Sequence, residues 1–457
     1  MKNLTLENLA RVCDGQYCGG LDQQKREVES IASDSRQVQP GALFVAIPGE
    51  RVDGHAFIED VIAKGAMAVL AERDLGKRPF PYIKVKSSLQ AVKDIAEYYL
   101  EGLDIPVVGI TGSVGKTSVK EVIASVLSQK FQVLKTKGNF NNELGLPLTV
   151  FRLRPDHELA VLEMGINHFG EMTRLAKIAK PDTCVITNIG PCHLEYLGNR
   201  DGVFKAKTEM FKYMKPQGHV ILNGDDDKLS AVETVNGTKP IFFGLNQNLD
   251  VWADHIVDNG LNGIQCRIHF QEESFPVQIP IPGQHMVYNT LAATAVGRCY
   301  GLSVEEIQMG IQRLEPVSGR MHTIKNGALT IIDDCYNANP ASMKASLDVL
   351  RNTPGKKTAI LGDMGELGEN APLMHEEVGS YAADCGLDLL LCVGELSLHM
   401  AQAARQKNPS LETLYMKNLE TLLAHLPEFS LKDGAILIKA SHFMKFDKIV
   451  QALSEKP

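Results

Sequence analysis

The stretch "IPVVGITGSVGKTSVKEVIASVL", residues 105–127, decides the fold of this chain. An apolar run breaks into a glycine-rich turn, Gly115-Lys116-Thr117 follows, and a segment of helical period comes next. Val119, Val122, Ile123, Val126 and Leu127 recur at the spacing of an amphipathic helix, with Lys120, Glu121 and Ser125 off that stripe. Backbone N–H groups at a helix start lack partners within the helix and sit at the positive end of its dipole. A strand, a glycine turn and a helix in that order therefore cradle phosphate oxygens. Lys116 adds a point charge toward the outer phosphates, and the Thr117 hydroxyl a ligand for Mg2+. The common spacing G-x-x-x-x-G-K-[ST] requires glycine at 110, where this chain has Ile110; its glycines are Gly109, Gly112 and Gly115. The competing reading is a glycine-rich turn that holds no nucleotide. The order of strand, Gly-Lys-Thr and helix favours ATP.

Working outward, 457 residues predict about three domains at roughly 150 residues each. The expected spans are 1–102, 103–315 and 316–457. In the first, "ALFVAIPG" and "AMAVLAER" read as short strands joined by helical patterns. In the second, "ELAVLEMG", "DTCVITNIG" and "GHVILNGDDD" alternate with helices, which predicts a parallel sheet covered on both faces. "IQCRIHF" and "FPVQIPIPG" read instead as a small antiparallel addition. In the third, "LTIIDDCYNANP", "KTAILGDMGELG", "LLLCVGE" and "GAILIKAS" resume the βα alternation. A net charge of −8 offers no basic field for nucleic acid, and no apolar run approaches the roughly 18 residues of a membrane span. Nine scattered cysteines without a C-x-x-C pair, and an amino terminus without the apolar core of a signal peptide, predict reduced thiols and a cytoplasmic protein.

The segment "DGVFKAKTEMFKYMK", 201–215, carries a lysine out of place. Wound at 100° per residue, Val203, Phe204, Ala206, Met210, Phe211, Tyr213 and Met214 share one face, and Lys207 falls near its middle. Either its stem snorkels past these neighbours to water, which composition alone favours, or its amine is desolvated with a lowered pKa. A desolvated, nucleophilic amine can take up CO2 as a carbamate, whose two anionic oxygens suit Mg2+. Glu163, closing "LAVLE", and His193, following "VITNIG", sit where strands of an open α/β sheet present ligands. His193 alone reads as an ordinary loop histidine; its company makes it a metal candidate.

In order along the chain come "SDSRQVQPGALFVAIPGERVDGHAF", "TGSVGKTS", "GNFNNELGLPLT", "LEMGINHFGEM", "TNIGPCHLEYLG", "AKTEMF", "GQHMVYNTLAATA", "GRMHTI", "IDDCYNANPASM" and "LGDMGELG". Together they resemble the Mur ligases, the ATP-dependent amide-forming enzymes of peptidoglycan precursor synthesis, over essentially the whole chain. Within the family, these stretches resemble the members that add D-alanyl-D-alanine to UDP-N-acetylmuramoyl-tripeptide. The resemblance implies three α/β domains: an amino-terminal uridine-nucleotide-binding domain, a central P-loop ATPase-like parallel-sheet domain, and a Rossmann-like carboxyl-terminal domain. It also accounts for Ile110, since the family's phosphate loop is shortened.

By resemblance, Lys116 and the amides of Gly112, Ser113, Val114, Gly115, Lys116, Thr117 and Ser118 hold the ATP phosphates. Thr117, Glu163 and His193 hold Mg2+, two ions being expected, and Lys207 matches a carbamylated lysine. Asn289 faces adenine, Arg320 the phosphate region and Asp334 the ribose. Ser33, Asp34, Ser35, Arg36, Asn141 and Asn142 help hold the uridine-diphospho sugar, and Asn337 and Asn339 the dipeptide. A cytoplasmic monomer with no nucleic-acid partner and no membrane insertion is expected.

The family's closing Lys-Gly-Ser-Arg is replaced by Lys439-Ala440-Ser441-His442, so no role passes to an arginine at 442. Three alternatives stand beside this reading. A folylpolyglutamate synthase should lack the amino-terminal stretch. A lysine- or diaminopimelate-adding ligase is opposed by "NNELG", by "LGDMGELG" and by the absence of Asp-Asn-Pro-Arg. A non-catalytic ATP-binding scaffold has little use for Glu163, His193 and Lys207. Whether the third tripeptide residue is lysine or diaminopimelate is open in the sequence.

Overall fold

The computed structural model describes residues 1–49, 52–429 and 431–454. Glu50 and Arg51, within the amino-terminal stretch quoted above, and residues 455–457 at the end of the third expected span lie outside them. Among the described residues, three sheets are formed. The first has five strands, Gln16–Cys18, Tyr82–Lys84, Ala68–Ala71, Ala42–Val45 and Ser30–Ala32 in spatial order, parallel except for the first. The last has six, in which the hairpin His322–Asn326/Leu329–Asp333 leads into a parallel run of Gly434–Lys439, Lys357–Gly362, Leu389–Val393 and Glu412–Met416.

The nine-stranded central sheet carries the site. Seven parallel strands run Val133–Lys135, Leu159–Glu163, Val107–Thr111, Thr183–Ile186, His219–Asn223, Ile241–Gly244 and Val251–Asp258. The antiparallel pair Ile264–Phe270 and Glu273–Ile279 extends it. This pair is the antiparallel addition expected from "IQCRIHF" and "FPVQIPIPG".

Strand side chains alternate between faces, and here the two faces feed different cores. Val108, Ile110, Leu159, Val161, Val185 and Ile221 join a core continuous with the carboxyl-terminal domain. Their neighbours Val107, Ala160, Leu162, Cys184, Ile186, Val220 and Leu222 join one continuous with the amino-terminal domain. The central sheet is thus the apolar filling between its two partners, each buried Val or Ile contributing about 1.5–3 kcal/mol. Helix Ser88–Leu103 leaves the first sheet and is tied to the central domain through Tyr99 Oη, which donates to the Leu153 carbonyl at 2.8 Å. All nine cysteines are free thiols, and among the described residues no helix is long and apolar enough to cross a membrane.

Candidate active site

The glycine turn is shaped by what surrounds it. Gly112 has φ +151°, and a Cβ there would lie 1.9 Å from Thr187 Oγ1. Gly115, φ +83°, caps helix Lys116–Leu127 with no side-chain hydrogen bond, so the first amides of that helix stay available to an anion. Asn188 braces the turn from beneath. Its carbonyl accepts the Ser113 amide and its Oδ1 the Val114 amide, each at 3.0 Å. Those two amides of the expected Gly112–Ser118 set are therefore engaged within the protein. Ile110 is a buried strand residue paired with Glu163, so the glycine turn begins only beyond it. Lys116 Nζ donates to the Gly112 carbonyl at 2.8 Å, folding over the loop.

Glu163 ends its strand 1 % exposed. Its Oε2 accepts the Thr117 hydroxyl at 2.9 Å and its Oε1 the Asn141 amide at 2.7 Å. Thr117 and Glu163 are thus brought together, and Asn141, expected to touch the sugar nucleotide, is held by the carboxylate. His193, on the loop after Thr183–Ile186, faces the same cavity. Its Nδ1 lies 2.7 Å from Glu366 Oε2 of the carboxyl-terminal domain, and this contact lowers the Glu366 pKa. Among the described residues no three His, Cys, Asp or Glu side chains form a metal cluster.

Lys207 is buried in helix Arg200–Thr208, which tightens to a 3-10 turn over Glu209–Tyr213 rather than running on to 215. Glu209 turns there to accept the Thr173 hydroxyl at 2.7 Å, and Pro216 follows. Lys207 does not snorkel. It is 0 % exposed, its Nζ has no hydrogen-bond partner, and burial, with the Lys116 charge adding, lowers its pKa to about 7. Lys120 lies off the apolar stripe, as its position in the sequence predicts, yet is fully buried. The reason is that the helix is covered on this side too. Lys120 Nζ donates to the Thr136 carbonyl at 2.8 Å and lies 3.0 Å from Glu121 and 3.8 Å from Glu163.

A cavity of about 1240 Å³ opens in front of the loop, walled by all three domains. Ile47 and Leu89 come from the first domain, the loop with Glu163, His193 and Asn289 from the second, and Arg320, Asp334, Asn337 and Asn339 from the third. Asn289 is buried, its amide 3.2 Å from Met286 Sδ. The Arg320 guanidinium stacks 4.2 Å from the Tyr336 ring centroid, and His442 packs on the same ring at 5.4 Å. Asp334 accepts from Lys439 Nζ and Ser346 Oγ, each at 2.6 Å.

Asn339 caps helix Pro340–Arg351 in a capping box with Ser342, aiming the helix start at the cavity. Asn142 Oδ1 accepts the Gly145 amide at 2.8 Å. Ser33, Asp34, Ser35 and Arg36 follow strand Ser30–Ala32 at the sheet edge that also presents Ile47, yet none of the four lines the cavity. The Arg36 guanidinium beside Asp34 lowers that carboxyl to about 2.

Sequence reasoning missed Asn188, Tyr336, Glu366 and Lys439. Lys439 stood in a stretch singled out only for its last residue. Asn188, Tyr336 and Glu366 lie within "TNIGPCHLEYLG", "IDDCYNANPASM" and "LGDMGELG", but those stretches showed no role for them, because what each does depends on a partner remote in the chain.

A phosphate loop on a parallel sheet, facing a cleft closed by two further α/β domains, defines a multidomain nucleotide-phosphate-using enzyme. The chain belongs to the Mur ligase family: residues 110–297 match the Mur ligase middle domain, 319–442 the glutamate ligase domain and 27–104 the Mur ligase family catalytic domain. It is 36% identical to the UDP-N-acetylmuramoyl-tripeptide--D-alanyl-D-alanine ligase of Bacillus subtilis (strain 168), over 99% of each chain. A crystal structure of MurF from Acinetobacter baumannii superposes with a TM-score of 0.89 at 32% identity, covering 99% of each chain. MurF ligase from Thermotoga maritima, solved with ADP, superposes at 0.81 and 30% identity, covering 93% of this chain and 97% of that one.

Proposed function

We propose that this chain is an ATP-dependent ligase joining D-alanyl-D-alanine to UDP-N-acetylmuramoyl-tripeptide, producing ADP, phosphate and the pentapeptide precursor of peptidoglycan. The observation that carries this reading is end-to-end similarity to ligases of that name, on a chain whose phosphate loop faces a cleft shared by three domains. The tripeptide carboxylate attacks the γ-phosphorus of ATP, forming an acyl phosphate and ADP. The dipeptide amine then attacks the acyl carbon, the bond to phosphate breaks, and the nitrogen gives up a proton. The first step brings two anions together, so positioning and charge neutralisation dominate. Lys116 and the amides from Gly115 onward supply them.

The donor set fits a divalent cation: a buried carboxylate beside the Thr117 hydroxyl, and His193 across the cavity. Mg2+ held there, by two ions in the full complement, supplies further charge neutralisation when bound. Lys207 fits the carbamate reading, because a buried amine with a pKa near 7 and no partner is unprotonated often enough to take up CO2, releasing one proton. The carbamate would be a buried anion, so it would need cations beside it, which Mg2+ and the Lys116 ammonium would supply.

Asn289 serves adenine, Arg320 the phosphates and Asp334 the ribose, the last with its carboxylate oriented by Lys439 and Ser346. Ser33, Asp34, Ser35 and Arg36 serve the uridine nucleotide at the first sheet's edge, and Asn141 and Asn142 the sugar side. Asn337 and Asn339 face the dipeptide. The domains divide the substrates at 1–102, 103–315 and 316–457, and the enzyme acts as a cytoplasmic monomer.

The test mixes Mg2+-ATP, UDP-N-acetylmuramoyl-tripeptide and D-alanyl-D-alanine with the protein and omits each in turn, following phosphate release and product mass. Release that needs all three, with a pentapeptide product, is the expected result. Turnover with a single amino acid in place of the dipeptide would assign the chain to a tripeptide-forming ligase instead. ATP binding without turnover on any acceptor would make it a scaffold.

A further inference from the structure

We propose that Glu366 is a positioning residue for His193: carried in by the carboxyl-terminal domain, its carboxylate fixes the imidazole so that Nδ1 bears the hydrogen and Nε2 is left as the donor to the cation. The inference rests on the reading of His193 as a metal ligand.

Three observations converge on it. Glu366 Oε2 lies 2.7 Å from His193 Nδ1, a buried nitrogen that this carboxylate approaches off the line of a full hydrogen bond and that has no other polar partner. At that separation a bare nitrogen lone pair would repel the carboxylate, and His193 lines the cavity. Glu366 itself does not line that cavity, so its carboxylate acts through the ring rather than on a substrate. Both residues hold left-handed backbones, φ +51° at His193 and +60° at Glu366, although neither is glycine. Two such conformations cost more than one half-exposed ion pair contributes, so stability does not explain why the pair is held. Strain of this kind is retained where geometry matters.

The surrounding contacts explain how the pair is assembled. His193 follows strand Thr183–Ile186 and Glu366 follows strand Lys357–Gly362, each beyond the carboxyl end of a central parallel strand. The 3-10 turn Gly368–Asn370 rests on helix Leu194–Leu197, with Gly368 approaching the Glu195 amide. The loop bearing Glu366 is thus docked on the loop bearing His193. A carboxylate on the far nitrogen of a ligating histidine sets which nitrogen is free and raises its basicity. Here that carboxylate belongs to another domain, so the ligand is fully oriented only while the two domains are together.

The experiment compares wild type, Glu366→Ala and Glu366→Gln, with circular dichroism confirming the fold. Long-range 1H–15N spectra of histidine-labelled protein, with the signal assigned by His193→Gln, should show the Nδ1–H form in wild type and a shift toward Nε2–H in Glu366→Ala. Mn2+ titration of the protein–ADP mixture, read by electron paramagnetic resonance, should weaken about ten- to a hundredfold in Glu366→Ala, with Glu366→Gln between. Both changes are required. An unchanged tautomer or an unchanged Mn2+ affinity in folded Glu366→Ala overturns the proposal. Neither readout involves an acceptor substrate, so failure of the ligase reading would show separately, as wild type that makes no pentapeptide.

Discussion

Lys120 and Lys207 are both fully buried amines of the central domain, and the protein treats them in opposite ways. Lys120, on the helix behind the phosphate loop, has a carbonyl at 2.8 Å and carboxylates of Glu121 and Glu163 at 3.0 and 3.8 Å. Lys207, on the helix Arg200–Thr208, has no partner, and its pKa falls to about 7. One is a structural cation that keeps Glu163 tolerable in the interior, and the other an amine held ready to lose its proton. Burial alone therefore says nothing about role; the charge and hydrogen-bonding of the neighbours decide it.

Replacing each lysine by methionine should separate the two most sharply. Lys207→Met is expected to lower phosphate release by about 10²–10³-fold, with partial recovery on adding small carboxylate anions, while its urea midpoint stays or rises. Removing an unsatisfied buried group contributes about 1–3 kcal/mol. Lys120→Met should instead cost about 3–5 kcal/mol of stability, because it leaves Glu163 buried without a cation. Equal urea midpoints in the two variants would break the comparison.

The pH dependence sharpens it. The Lys207 amine has a pKa of 10.5 in the unfolded chain and about 7 when folded, so between these values the unfolded state binds the extra proton. Stability must then rise with pH through that window, by at most about 1.4 kcal/mol per pH unit, and level off above it. Below about pH 7 both states hold the proton and the burial penalty is complete. Urea titrations at several pH values under CO2-free gas should show this slope in wild type and not in Lys207→Met; parallel curves would mean the amine is not desolvated.

Smaller effects are expected away from the two helices. Gly112→Ala puts a methyl against Thr187 Oγ1 and should cost about 1–3 kcal/mol by strain, together with weaker ADP binding by calorimetry. Arg36→Ala removes a side chain that is 86% exposed. It should change stability by no more than about 0.5 kcal/mol while raising the KM for the sugar nucleotide. An unchanged KM would remove Arg36 from the uridine site.

Much of this was legible in the order of residues. The strand, glycine turn and helix of 105–127, the alternation that makes a parallel sheet, the antiparallel pair near 264–279 and the position of Lys207 on an apolar face all follow from local periods of 2 and 3.6 residues. The burial of Lys120 was not legible in those periods: it lies off the apolar stripe, and its helix is covered on more than one face. Ser113 and Val114 were expected to serve phosphate, but Asn188, on another strand's loop, already takes their amides.

A chain's sequence determines which groups are present and which local geometries are cheap, and for this protein that was sufficient for the phosphate loop, the α/β class and the succession of three sheets. Tertiary structure alone decided that Lys120 is paired and Lys207 is not, that Asp334 is held by Lys439, that Glu366 reaches His193 from another domain, and that one cavity is shared by all three. Backbone preference acts over a few residues. The proton affinity of an amine, or the orientation of an imidazole, is set by dielectric and charge within a few ångströms in space, and only folding brings those charges there.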